Sequence, residues 1–354
     1  MTDKHERPFS PDGLPLIHRT GVWYGGHVQG IAADTEKKFM YYSYTTDFCK
    51  YGFDGELAGS VGGFIGHIGC MCFDPERRKV YASLEYKNDE IGKGLHNRIG
   101  TGEVKDGFYI VIFNVDEINE TGLSSEDCGA VNAAYLCEVV NDYHADGLCG
   151  PHKYGCSGID GVTLMPLPGC RDGKKYLAVA YGIYGDVNRT DNDNQVILFY
   201  DTDEIEKCAR PLTQSAPHTS GPLCRFRTFL YTGNTTYGVQ NLEYDPYTGN
   251  TFVCVYPGKK QQYENYYLFV IDGRKPAVLT DVKGTGEVGL NLSLLPGQSS
   301  YFPYGSTGVA SLSDGRFYIS EPSRTQNGGN TTEVVMYSYS EETGFTRLIN
   351  KEIL

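Results

Sequence analysis

Two histidines open segments of like sequence, HVQGIAAD from His27 and HIGCMCFD from His67. Three more segments align with them: GIDGVTLM from Gly158, GVQNLEYD from Gly238 and STGVASLS from Ser306. The alignment sets His27 and His67 in one column and, two residues on, Gln29, Gly69, Asp160, Gln240 and Gly308 in a second. Neutral imidazoles with carboxylate and amide oxygens suit a first-row divalent metal. Such an ion would polarise a carbonyl or stabilise an enolate. His27, His67 and Asp160 are therefore the candidate metal ligands; His27 and His67 are also candidate catalytic groups that would move protons, and Gln29, Asp160 and Gln240 are candidate substrate contacts. The competing reading is that the imidazoles hydrogen-bond within a polar wall, because no known ligand spacing is met.

A second alignment, of the segments that follow, sets Thr45, Glu85, Tyr181, Tyr256 and Glu321 in one column. Two carboxylates across a pocket serve as general acid and base in glycoside hydrolysis. Glu85 and Glu321 are the candidates, with Tyr181 and Arg324 as substrate contacts. The competing reading pairs each with a nearby cation, Glu85 with Lys87 and Glu321 with Arg324. Two loops complete the set. CEVVNDYHADGLCGPHKYGC, 137–156, carries His144, Cys149, His152 and Cys156 at a spacing that fits no standard zinc finger, and reads as a lid. YGIYGDVNRTDNDN, 181–194, lacks the ligand spacing of a helical-hand calcium loop and reads as turns, with Asp186, Asn188 and Arg189 as ligand contacts. Tyr181, Tyr184, Tyr237, Tyr256 and Tyr304 are candidate stacking surfaces for a sugar or aromatic ligand.

The elements that would position these residues repeat five times. Each first segment is a strand that ends in an Asp-, Pro- or Gly-rich turn such as DTEKK, DPERRK, PLPGCRDGKK, DPYTGN or SDGR. A second strand follows (FMYYSYTT, VYASLEY, YLAVAYG, TFVCVYPG, FYISEPS), then a polar loop. A third strand comes next (CKYGF, FYIVIFNV, QVILFYDT, YYLFVID, EVVMYSYS), then a weaker fourth (LAGSV, YLCEVV, RFRTFLY, AVLTDV, TRLINKEI). This is the grammar of a β-propeller blade. The expected fold is all-β: one closed propeller of five four-stranded blades over residues 16–354. A polar arm, 1–15, precedes it, and an insertion lies around 119–156. Six blades is the alternative. The N-terminal LIHRTGVWY and C-terminal FTRLINKEIL both flank the fifth blade, and one of them is expected to close the ring and remove its edge.

From about Gly21 onward the blades resemble those of the broad β-propeller superfamily. Lactonases of the gluconolactonase and paraoxonase type are similar in strand pattern but have six blades. Their metal site of Glu, Asn and Asp implies Glu85, Asn241 and Asp160 as counterparts. Five-bladed furanosidases use three carboxylates around the axis, which implies Asp160, Glu85 and Glu321. Neither motif matches residue by residue, so no role is carried over.

Composition agrees with strands and turns: 28 Tyr, 16 Phe and 44 Gly in 354 residues, against five Met and one Trp. The best helical spacing, 115–119, is too short to stand alone. A net charge of −13 opposes nucleic acid, and no basic run suits an anionic membrane. No stretch reaches the ~20 apolar residues of a membrane span. The arm has no apolar core of signal-peptide length, so the expected location is the cytoplasm and the 11 cysteines are expected to be free thiols. No nucleotide-binding or nucleophile-elbow motif occurs.

The long loops between second and third strands open on the face where the first strands begin, and function concentrates in such loops. The expected function is that of an enzyme on a small polar, sugar-derived or lactone-type substrate at the axial mouth. The chemistry would be metal- or carboxylate-assisted hydrolysis, elimination or isomerisation, with a divalent metal as the cofactor considered. The alternative is a propeller that binds a ligand or protein without chemistry. The sequence is silent on oligomeric state.

Overall fold

A computed structural model describes residues 9–100 and 104–349. Parts of the expected arm, the blade-two loop and the closing strand FTRLINKEIL lie outside the described residues. Five sheets stand in a ring, each led by the expected first strand: Val28–Asp34, His67–Asp74, Cys156–Pro166, Thr235–Tyr244 and Val309–Ser311. The chain is a five-bladed β-propeller.

The turns after the first strands follow from their aspartates. Asp34 Oδ1 accepts the Lys37 N–H at 2.9 Å, Asp74 Oδ1 that of Glu76 at 2.9 Å, and Asp245 Oδ2 that of Thr248 at 2.9 Å. Each side chain thus replaces a backbone acceptor and folds the hairpin. The turns then pass through left-handed positions at Lys38, Arg78 and Gly249.

The buried side chains fall into five clusters, one at each blade–blade interface. Between blades one and two, Phe48 stacks on Phe113 with centroids 4.1 Å apart. Between blades four and five, Phe252 meets Phe317 edge-on at 5.0 Å. The fifth cluster packs Val28, Tyr42 and Tyr44 of blade one against Tyr318, Val334 and Met336 of blade five, so the ring is continuous. Both chain ends close it. Ile17–Arg19 pairs with the upper part of Asn330–Ser340, Ile17 opposite Val335, and Gly344–Arg347 pairs with the lower part, Tyr337 opposite Arg347.

Several elements differ from the expectation. The fourth strand of blade two is Val131–Tyr135, and the expected YLCEVV is mostly helix, the start of Cys137–His144. AVLTDV leaves blade four. Its Val278–Val282 forms a hairpin with Glu287–Asn291, which extends blade three in parallel beside Phe226–Tyr231. Gly289 permits that docking, because a Cβ there would sit 2.6 Å from the Phe229 ring. The outer place in blade four is held by bridges from Leu294 to Ile271 and from Ser300 to Leu268. The stretch 119–156 is not one insertion: Leu123–Ser124 extends the edge of blade one, and Val131–Tyr135 belongs to blade two.

Among the described residues three α-helices form where none was expected: α1 Glu90–Ile99, α2 Cys137–His144 and α3 Thr202–Cys208. Segment 115–119 turns instead. In α2 the buried Val139 and Tyr143 recur at helical spacing after the buried Leu136. Among the described residues no helix is long and apolar enough to cross a membrane.

Candidate active site at the axial mouth

The innermost strands begin at one face, and four of them break register there. The shifts fall between Val28 and Gly30, Ile68 and Met71, Ile159 and Val162, and Val239 and Asn241. The residues left out of register are Gln29, Gly69 with Cys70, Asp160 with Gly161, and Gln240. A bulge re-aims a side chain that the pleat would otherwise point elsewhere. Here it turns the column of the first alignment towards the axis.

The result is a cavity of about 170 Å³ lined by His27, Gln29, His67, Glu85, Asp160 and Gln240, with Lys87, Ile91, Ser157, Gly182, Tyr237 and Tyr256 around them. Gly69 makes the room, since a Cβ there would lie 2.0 Å from Asp160 Oδ1. A wider groove of about 470 Å³ runs outward over blade five and shares His27 and Tyr256 with the cavity. Tyr304, Arg324 and Asn330 line it.

Glu85 lies opposite His67 across the strand pair. Its Oε1 is 2.6 Å from Lys87 Nζ, and both side chains are 7% exposed. Lys87 also donates to the Ser157 carbonyl at 3.1 Å and lies 3.7 Å from Asp89. Glu85 Oε2 receives the Ile159 N–H at 3.4 Å, which ties blade two to blade three. Burial pushes the Glu85 carboxyl up, and Lys87 pulls it back. Burial opposes the Lys87 charge, but Glu85 and then Asp89 more than offset it and hold the ammonium protonated.

Asp160 lies next to this pair in the cavity wall. Burial, and then the charge of Glu85, push its carboxyl well above the usual carboxylate range. Lys87, the Cys70 N–H at 3.3 Å and a hydrogen bond from Gln240 only partly oppose this. Asp160 nonetheless remains partly exposed to the cavity.

Asp89 was not singled out in the sequence. It caps α1 by accepting the Gly92 N–H at 2.9 Å, and its other oxygen receives the Tyr184 hydroxyl at 2.8 Å. The helix is thereby pinned beside Lys87, with Ile91 in the cavity wall. Its signal was local: Asp at an N-cap, followed by Glu in the first turn.

The other expected contacts lie elsewhere. Glu321 receives Tyr337 Oη at 2.7 Å and Arg347 Nε at 3.1 Å, so its cation is Arg347. Tyr181 is fully buried and donates to Asp142 at 2.8 Å. Asp186 caps an exposed turn by accepting the Asn188 N–H at 2.8 Å. Arg189 pairs with Asp191 at 2.9 Å and donates to the Pro151 and His152 carbonyls at 2.6 and 3.0 Å, which clamps the 146–155 loop.

Within that loop His152 Nδ1 is bonded to the Tyr143 carbonyl at 2.6 Å, while exposed His144 faces Asp106 at 3.6 Å. Cys149 meets Thr190, and Cys156 is buried. Asn241 lies fully buried, donating to the Gln29 and Ser306 carbonyls. Among the described residues no three His, Cys, Asp or Glu side chains are grouped to hold a metal ion. All eleven cysteines are free thiols.

No protein-family model matches the chain, and no curated protein matches it. Its structure is similar to that of the soluble aldose sugar dehydrogenase of Escherichia coli, at 11% identity and a TM-score of 0.37 over 90% of this chain and 99% of that one. It is similar to a carbohydrate-active enzyme of family AA12 from Trichoderma reesei, at 9% identity and a TM-score of 0.40 over 86% and 80%. It is similar also to the β-propeller domain of Cps50 (Swd1) from Myceliophteria thermophila, at 7% identity and a TM-score of 0.33 over 90% and 99%. At these values no residue role follows from the likeness.

Proposed function

We propose that the axial mouth is the active site of an enzyme that transfers protons on a small polar, sugar-derived or lactone-type substrate. The observation that carries the reading is Asp160, a carboxyl facing a small cavity whose surroundings favour its protonated form. A carboxylic acid held neutral is a general acid, and its charged neighbour takes a different role. Asp160 would donate to the substrate oxygen that gains negative charge. His27 or His67 would take the proton from water or from a C–H bond, which gives hydrolysis in the first case and elimination or isomerisation in the second. The Glu85–Lys87 pair would fix the wall, and the charge of Glu85 would favour the protonated form of Asp160. The 470 Å³ groove, with Tyr256, Tyr304 and Arg324, would hold the rest of the substrate.

The test is turnover of a panel of aldonolactones and uronates by the purified protein, Asp160→Asn and the His27→Ala/His67→Ala double variant. General acid–base catalysis is worth ~10²–10⁴-fold, and each variant is expected to lose kcat on that scale. In the wild type, kcat is expected to fall as pH rises, because Asp160 acts while protonated. Full turnover in both variants would overturn the reading. Binding of panel members without turnover would place the protein among binding propellers.

A further inference from the structure

The opposite end of the axis holds a second and larger cavity, which the proposed reaction does not use. Its volume is about 480 Å³, within the ~300–1,000 Å³ of small-molecule sites. All five blades wall it through the far ends of their innermost strands, at Ala32, Cys72, Thr163, Glu243 and Ser311. The charges at its rim are largely matched. Arg77 reaches Asp74 at 2.9 Å and Asp203 at 2.5 Å, and Lys174 reaches Asp201 at 2.6 Å.

Glu243 is not matched. Its Oε1 accepts the Ser311 N–H at 2.7 Å, and the Thr163 hydroxyl is its other donor. Both donors are neutral, and among the described residues no cation pairs with it. Burial, with the like charge of Asp245 behind it, pushes its carboxyl up to about 8. Glu243 is partly exposed to the cavity, and an acid with no counter-charge regains its ionised form when a cation arrives.

We propose that this cavity binds a small organic ammonium ion, with Glu243 as its counter-ion. The ammonium donates to the carboxylate, and the apolar wall of Ile31, Met71 and Ala310 covers its alkyl part. Binding then requires that Glu243 lose its proton. The other titratable groups that face it are Asp245 and the thiols of Cys70, Cys72 and Cys254. Burial pushes all three thiols up, Cys70 to about 12, so they stay neutral where Glu243 titrates. The charged rim residues are Asp74, Glu76, Arg77, Lys174, Lys175 and Asp203.

Calorimetric titration of the full chain with n-propylammonium chloride tests this. Affinity is expected to rise about tenfold per pH unit from about pH 6 and to level off above about pH 8, with a proton released on binding. Glu243→Gln keeps the shape and the acceptor for Ser311, and is expected to bind at least about tenfold more weakly near pH 9. Asp160→Asn, at the other mouth, is expected to bind as the wild type does. No binding by the wild type near pH 9, equal binding by Glu243→Gln, or loss of binding in Asp160→Asn each overturns the proposal.

Discussion

Lys87→Met removes the cation from a pair that burial has made dependent on it. At the observed 2.6 Å, an effective dielectric of ~20 gives a gross attraction of about 6 kcal/mol. Methionine recovers part of this, because the ammonium no longer has to be kept from water. The net loss expected for breaking a buried pair is about 3–5 kcal/mol. The sign of its pH dependence follows from Glu85. Burial already raises that carboxyl in the folded protein, and removal of Lys87 raises it further. The folded variant therefore holds a proton that the unfolded chain, with its ordinary Glu value of ~4.3, has released. Stability contributed by that proton is present at low pH and lost as pH rises, so the deficit is smaller near pH 5 than near pH 8. Urea unfolding followed by circular dichroism at both pH values measures it. Glu85→Leu/Lys87→Met, which removes both charges, is expected to recover most of the loss. A deficit below about 1 kcal/mol, equal at both pH values, would show the pair to be solvated and screened, and would refute the reasoning.

Other consequences are as direct. Asp160→Asn is expected to lose turnover yet flatten the fall of stability with rising pH, since it removes a carboxyl that the fold holds well above the usual range; unfolding at about pH 5 and pH 8 checks this. Gly69→Ala would place a Cβ 2.0 Å from Asp160 Oδ1 and is expected to cost about 1–3 kcal/mol along with turnover, read by thermal melting and the substrate panel. Ile17→Ala, at a residue 1% exposed in the strand that closes the ring, is expected to cost about 2–4 kcal/mol. Arg189→Ala releases the clamp on the 146–155 loop and is expected to speed limited proteolysis there while the melting temperature changes little.

The repeat was legible because its signals are local. The aspartate-headed turns and the alternating strands recur with the blade, and five copies checked one another. The first-strand column of the mouth was legible for the same reason, although the bulges that turn Gln29, Asp160 and Gln240 inward were not. The second-strand column failed by one residue of register. Glu85 and Tyr256 sit on the face that reaches the cavity. Tyr181 continues the row of Val179 and Ile183, and Glu321 that of Phe317 and Ile319, on the opposite face, which packs against the preceding blade. A slip of one residue reverses a side chain, and equivalence with Glu85 belongs to Gly182 in blade three. Helix α2 was missed because its apolar residues also fit a short strand, and length alone did not decide between them. The migration of Val278–Val282 to blade three is a tertiary choice that no local pattern records.

The proposed reaction requires that Asp160 stand at the mouth as an acid. Carbon-13 NMR of the aspartate side-chain carboxyls, with Asp160→Asn to assign the signal, reads its protonation without a substrate. The expected midpoint lies well above the ordinary ~3.9 and moves down in Glu85→Gln as the neighbouring charge is removed. A carboxyl that titrates at the ordinary value and ignores Glu85→Gln would contradict it.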